Sequence, residues 1–465
     1  MITRIKIDGF KSFHHFEMTF TPFTVIAGVN ASGKSNLFDA LMLLARLAET
    51  DLKTAFTWHG QRGNPNELFT QYGGNHCASE LTFEVDMLLN REIHDNWGGK
   101  EQLNHTRLRY RLIIEKKQNQ FNIDDLFIKH ESLEKIRPDE DDWVKKILPE
   151  SSKSLVKSER SGGTAQPYIR TEAEGNTVAI KIRQDGKQGG KATRANAASQ
   201  TVLSAINSVD FKHVLAAKAE MISWRFLQFN PEDLGEPSKK EMGLQNTLSR
   251  SGKYLAATLF RIGQDNAYRM VEISRMVQSF LPQFTEVVVR DDEANNQYLV
   301  KLRDKDKNEY TSRVLSEGTL RILALCVLAN DDQHTGLLCF EEPENGIHPF
   351  KIKDMARLLK ELSTDFLATD LPLRQIIVNT HSPGLVGEIY HWTNDPSVSI
   401  WYAKMKNQIS DITGKRVKLS VTGILPVLKD RNGPLLEIPV PYSEPELKLT
   451  LSTVKQYLET DHGAS

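Results

Sequence analysis

Gly28-Val29-Asn30-Ala31-Ser32-Gly33-Lys34-Ser35 is the stretch on which the fold turns. It fits G-x-x-x-x-G-K-[ST], a loop whose backbone amides cradle phosphate oxygens. The flanking glycines let the chain turn tightly and come close to an anion. Lys34 is placed to reach the β- and γ-phosphates of a nucleotide, and the Ser35 hydroxyl to ligate Mg²⁺. The context agrees. Phe23 to Ala27 is a short apolar run that reads as a buried strand, and Leu37, Ala40, Leu41, Leu44 and Leu47 share one face of a following helix. Strand, glycine loop and helix in that order belong to an α/β nucleotide fold.

Outward from the loop, the chain has 465 residues, more than one hydrophobic core of ~250–300 residues accommodates. With 39% hydrophobic and 26% charged residues, collagen-like, disulfide-scaffold and wholly disordered classes are excluded. The 59 Lys+Arg balance 60 Asp+Glu, which excludes a uniformly basic nucleic-acid coat but leaves room for a local basic patch. Three cysteines cannot form a disulfide framework and suit a reducing compartment. No apolar run approaches the ~20 residues of a membrane span, and Met1 to Phe10 lacks the apolar centre of a signal peptide. The expectation is a cytoplasmic protein with no membrane partner.

The organisation reads as one head interrupted by an insertion. Residues 2–8 and 16–20 alternate as half-buried strands, and 80–90 and 107–115 add two more. Residues 129–161 are dense in mixed charge, and 187–198 read as a Gly/Lys/Ala-rich solvated loop. Residues 197–225 and 253–281 have helical spacing, and 285–291 with 297–303 form a strand pair. The expected divisions are an N-terminal lobe (1–95), an insertion (96–225), a helical and strand part leading back (226–310), a C-terminal lobe (311–390) and an extension (391–465) with a helix near 444–459. No 20–50-residue repeat and no sustained heptad pattern appears, which argues against a solenoid and a long coiled coil. The fold class is therefore α/β: a mixed sheet flanked by helices, with a moderate α+β insertion.

Three further segments carry chemistry. Leu337 to Glu342 is an apolar strand ending in two carboxylates. Alternation along a strand would point them apart, Glu341 toward a hydrated Mg²⁺ and Glu342 toward the attacking water. A solvated strand end is the alternative on local grounds. Ser316-Glu317-Gly318 opens a helix with Ser316 as N-cap, and such a terminus can also bind the γ-phosphate of a nucleotide held by a second copy. His381 follows the apolar run Arg374 to Asn379, at the strand end where parallel sheets bind ligands, and could contact a γ-phosphate or the attacking water. The remaining histidines, including the isolated His14-His15 pair, show no metal-ligand spacing, so no structural zinc is expected.

Taken in order, these motifs resemble the ATP-binding-cassette ATPases of the SMC, RecF and OLD type. Gly9-Phe10-Lys11-Ser12-Phe13 resembles their first-strand motif, Gly28 to Ser35 with Asn36 their Walker A, and Leu315 to Arg321 their signature. Phe340 to Pro349 resembles the Walker B and D-loop of the OLD-like branch, and Asn379 to Pro383 the switch-histidine motif. The resemblance covers about residues 1–86 and 310–390. It implies ATP and Mg²⁺ as cofactors, ATP hydrolysis with Glu342 and His381 as catalytic residues, and a homodimer closed by an ATP sandwich. Phosphates would lie on Gly28, Asn30, Ser32, Gly33, Lys34, Ser35 and Asn36, with Lys11 and Ser12 near the nucleotide or, equally, in a plain surface turn. Ser316, Glu317 and Gly318 would act in trans, Asn345 and His348 would lie at the dimer interface, and Ser35 and Glu341 would hold the metal. Gln71 could be the Mg²⁺-sensing Q-loop glutamine, although its surroundings, Phe69 to Gly74, read as a plain turn.

Two departures bound the transfer. The insertion is far shorter than an SMC arm. The stretch after His381 is too short for the TOPRIM domain of OLD-type nucleases, and Asp395, Asp411, Asp430 and Asp461 form no Asp-x-Asp pair. A stand-alone ATPase of this kind resembles the ATPase subunits of bacterial anti-phage systems such as PARIS, Septu and abortive-infection pairs with an RloB-like partner. That implies a separate TOPRIM- or HNH-type nuclease as effector and higher-order homo-oligomers. Two alternatives stay open: a DNA-binding clamp using Lys181, Arg183, Lys187, Lys191 and Arg194, and a scaffold that sequesters a toxic nuclease.

Overall fold

The structure is a computed structural model that describes residues 1–57, 65–73, 76–118, 124–159, 166–174, 177–184, 190–194, 198–241, 246–333, 335–366, 373–412, 415–427, 453–454 and 456–458. Its centre is a six-stranded sheet ordered Arg225–Leu227, Gly336–Glu341, Arg374–Thr380, Phe23–Ala27, Val398–Ile412, Lys415–Pro426. The first five strands run parallel and the last returns antiparallel. Parallel strands are covered on both faces, which is why these segments read as unbroken apolar runs. Alternation divides them between two cores. Ile26, Leu337, Cys339, Ile377 and Trp401 pack with the helix Lys34–Leu47. Val25, Ala27, Leu338, Phe340, Ile376 and Val378 pack with the helices Glu317–Ala329, Pro349–Glu361 and Pro383–Tyr390.

A second, eight-stranded antiparallel sheet adjoins the first core, ordered Gly190–Arg194, Thr177–Arg183, Ile169–Glu174, Asp124–Lys135, Arg107–Gln118, Glu80–Leu88, Ile2–Asp8, Phe16–Thr19. Strands from the insertion thus continue the sheet that the first strands of the chain begin. The buried Gln375 amide ties the two sheets together. It accepts from Ile2 N at 2.9 Å and donates to Ile2 O at 2.8 Å and Thr21 O at 3.0 Å. Phe284–Asp292 and Gln297–Asp304 form the expected hairpin.

Two readings change. Residues 398–426, taken from sequence as part of an extension, supply two strands of the central sheet, and Val398–Tyr402 lies directly beside the phosphate-loop strand. Gly190–Arg194, taken as solvated loop, pairs with Ala179–Arg183; an open sheet edge offers backbone partners that outweigh weak local propensity. The surrounding 185–189 and 195–197, with Lys187, lie outside the described residues. So does most of the helix expected at 444–459, although 453–454 and 456–458 are helical. No helix among the described residues is long and apolar enough to cross a membrane.

One buried carboxylate makes stability depend on pH. Glu131 accepts from Val202 N at 2.7 Å, Leu203 N at 2.9 Å and the Tyr110 hydroxyl at 3.1 Å. Burial nonetheless pushes its pKa from 4.5 up to about 7. Between those values the folded chain holds a proton that the unfolded chain releases, so stability falls as pH rises through the window and levels above it. The expected loss is on the order of 3 kcal/mol. Melting of the wild type against Glu131→Gln from pH 4.5 to 8 checks this; a difference between them that stays constant with pH would contradict it.

Candidate nucleotide site

The phosphate-loop strand ends at Ala27, and the backbone then turns through left-handed positions at Ala31 (φ 61°) and Gly33 (φ 88°) before the helix begins at Lys34. Glycine is required at Gly33 twice over, because a Cβ there would lie 1.8 Å from Thr422 Oγ1. At Gly28 a Cβ would lie 2.6 Å from the Ala403 carbonyl. The C-terminal hairpin is thus the floor of the loop. Val29, Asn30 and Ala31 are exposed at its tip, and Ser32 is buried. Lys34 Nζ donates to Gly28 O at 2.6 Å and Val29 O at 2.8 Å. Burial lowers the Lys34 pKa, against the opposing pull of Glu342, Glu344 and Glu341.

The first-strand motif closes one side. Ser12 Oγ lies 2.6 Å from Thr422 Oγ1 and accepts from Asn36 Nδ2 at 2.7 Å, while Lys11 Nζ pairs with Asp39 at 2.6 Å. Lys11, Ser12 and Asn36 are therefore brought to the loop's flank.

The acids lie at the ends of the neighbouring strands. Glu341 is the last residue of its strand and is buried. Glu342 is not a strand residue, and alternation does not separate the two: the backbone leaves the sheet at Glu342 with φ 48°. Its N–H donates to Asn379 O at 2.8 Å. One carboxylate oxygen lies 2.8 Å from His381 Nδ1, and the other accepts from Asn345 Nδ2 at 2.7 Å. Asn379 Nδ2 is 3.5 Å from Ser35 Oγ, at the outer limit of a hydrogen bond. Glu344, which the sequence reading left without a role, is buried and hydrogen-bonded to the Thr380 hydroxyl, and burial raises its pKa. Three buried polar atoms without hydrogen-bond partners belong to residues of this neighbourhood: Ser32 Oγ, Asn379 Oδ1 and Glu344 Oε2. Buried polar groups are normally satisfied, so a polar, charged ligand and its metal fit here. Ser35 and Glu341 would hold Mg²⁺.

Residues 23–387 match the family described as "AAA domain, putative AbiEii toxin, Type IV TA system". The chain belongs to this family. The match shows an ATPase domain of the AAA type. No curated protein matches the chain. Similar solved structures include the SMC head bound to the C-winged helix domain of ScpA (14% identity, 92% of this chain, 98% of that chain, TM-score 0.48). They also include the SMC head domain from Thermotoga maritima (14%, 92%, 98%, 0.37). A third is the Smc head with an extended coiled coil bound to the C-terminal domain of ScpA derived from Pyrococcus furiosus (11%, 91%, 96%, 0.45).

Within this AAA domain the serine–glycine segment faces outward. Ser316 caps the helix Glu317–Ala329, its hydroxyl 3.4 Å from Thr319 N, and Glu317 pairs with Arg321 at 2.7 Å. Gly318 meets Gly346 so closely that a Cβ would stand 2.3 Å from the Gly346 carbonyl. His348 caps the next helix through Nδ1, which accepts from Phe350 N at 3.4 Å. The signature-like turn and the D-loop-like turn of one chain are thus held together.

Gln71 is placed otherwise. Its side chain is exposed and donates to Asn66 O at 3.2 Å and Phe69 O at 3.0 Å, closing its own turn. Sequence reasoning also missed Thr422, Asp39 and Ala403. Nothing in their local sequence marks them, because their importance comes from strand order. Glu344 had a signal, as the third acid in Glu341-Glu342-Pro343-Glu344.

Proposed function

We propose that this AAA domain is an ATP-binding and ATP-hydrolysing switch that closes as a nucleotide-sandwich dimer and controls a separate effector in anti-phage defence. The observation that carries the reading is the Glu342 carboxylate held between His381 and Asn345 at the strand ends beside the phosphate loop. The loop amides and Lys34 bind and orient the phosphates. Mg²⁺, held by Ser35 and Glu341, would neutralise phosphate charge. Glu342 accepts a proton from the attacking water, and His381 positions that carboxylate and senses the γ-phosphate.

Closure by a second copy is supported by where exposed apolar side chains lie. Val29 is at the loop tip, Val314 just before Ser316, and Phe350 just after His348; Phe350 is 87% exposed. Each flanks one of the motifs that a sandwich would bring together. The family description names a toxin–antitoxin system, which supports a second component beside the ATPase. A DNA clamp finds less support, since Lys181 is already paired with Glu172 at 3.0 Å.

Ser316→Arg tests the dimer. The variant is expected to bind ATP as the wild type does, yet to stay monomeric by light scattering and to lose turnover. An Arg variant that dimerises and hydrolyses normally would refute the trans role. ATP-dependent co-purification with the product of a neighbouring gene checks the effector.

A further inference from the structure

We propose that Asp8, His14 and His15 form a binding site for a divalent transition metal, Zn²⁺ by preference, at the base of the first hairpin. The hairpin itself brings them together. Ile7 pairs with Phe16 across the first two strands, so Asp8 and His15 face each other where the strands part. The intervening loop is pinned. Phe10 and Phe13 are fully buried, Lys11 N donates to Leu68 O at 2.8 Å, and Thr70 N donates to Gly9 O at 2.7 Å. His15 takes φ 48°, which turns its ring back beside that of His14, with ring centroids 4.1 Å apart.

The ligand atoms converge. His14 Nδ1 lies 3.1 Å from one Asp8 oxygen and His15 Nδ1 lies 3.3 Å from the other. All three residues offer an atom within 4.8 Å of the others. Two ligands of a tetrahedral Zn²⁺ at ~2.0–2.1 Å stand about 3.3 Å apart, so the ligand spacing matches. A second, independent observation points the same way. The His14 side chain is nine-tenths buried, and its Nδ1, aimed at this cluster, makes no hydrogen bond among the described residues. The backbone N–H of His15 donates to Asp8 Oδ1 at 2.9 Å and orients that carboxylate, as outer-shell partners of metal ligands do. Two imidazole nitrogens with one carboxylate suit Zn²⁺, Ni²⁺ or Cu²⁺, whereas Mg²⁺ and Ca²⁺ take oxygen ligands. Three protein ligands leave a fourth position for water.

The site is separate from the phosphate loop, but the same short loop carries both sets of contacts. Its residues Lys11 and Ser12 reach Asp39, Asn36 and Thr422. A metal at its base would fix the hairpin from which those contacts extend.

The test uses the full chain, stripped with chelator and free of nucleotide, titrated with Zn²⁺ and separately with Co²⁺ as a spectroscopic probe. One equivalent is expected to bind, with the strong visible absorption of tetrahedral Co²⁺. His15→Asn keeps a residue that tolerates the left-handed backbone, and the His15 side chain is 71% exposed, so the variant should fold. It and Asp8→Asn should weaken Zn²⁺ binding by more than the ~10–100-fold that loss of an outer-shell partner causes. Nucleotide binding by Lys34 should survive in both. Wild-type protein that takes up no Zn²⁺, or variants that bind it as wild type does, would show an ion-paired imidazole cluster only and overturn the proposal.

Discussion

Glu342→Gln is expected to bind ATP and to lose turnover by roughly 10²–10⁴-fold, the usual contribution of a positioned general base. The substitution keeps size and one acceptor oxygen, so the links to Asn345 and His381 can persist while the capacity to take a proton is removed. The strained backbone at Glu342 is unchanged by it. Non-Gly residues in left-handed conformations persist where the surroundings over-determine them, commonly at functional sites. Phosphate release under saturating ATP, with equilibrium dialysis for binding, measures both halves. The ATP-bound variant should also accumulate as the closed dimer. Glu344→Gln is the discriminating control, since Glu344 is buried against Thr380 and burial favours its neutral form. Loss of turnover in Glu344→Gln with normal rates in Glu342→Gln would move the base to Glu344.

Gly33→Ala should weaken ATP binding by at least ~30-fold. A left-handed backbone costs a residue with a Cβ about 1–2 kcal/mol. The new methyl would also overlap Thr422 Oγ1, and overpacking typically costs ~1–3 kcal/mol. At ~1.4 kcal/mol per tenfold, even the low end of the sum gives that loss. The double variant Gly33→Ala/Thr422→Ala separates the causes, because it removes the overlap and leaves the backbone cost. Partial recovery is the expected result. Unchanged affinity in the single variant would show that the hairpin does not constrain the loop.

The strands that carry motifs were legible because burial on both faces makes them unbroken apolar runs next to distinctive turns. Phe23 to Ala27 before the glycine loop, Leu337 to Glu341 and Arg374 to Thr380 all show this. The hairpin 398–426 was not legible. Lys404, Lys406 and Lys418 interrupt its apolar residues, and the strand it joins lies at the opposite end of the sequence. The turn at Glu342 was hidden for another reason: two adjacent glutamates continue a strand pattern, and only Pro343 marks a break. His14-His15 looked isolated because the third member, Asp8, sits across a hairpin whose register no local spacing encodes.

That hairpin floor has a consequence for how the protein is made. Gly33 emerges from the ribosome about 20–80 s before Thr422 at usual synthesis rates. For most of that interval the phosphate-loop strand lacks the neighbours it has on both sides, Arg374–Thr380 and Val398–Tyr402. Nascent chains should therefore be blind to ATP until synthesis passes the hairpin. Nucleotide competence would then report that synthesis has passed Thr422, and a product truncated before it would not enter the nucleotide-dependent state.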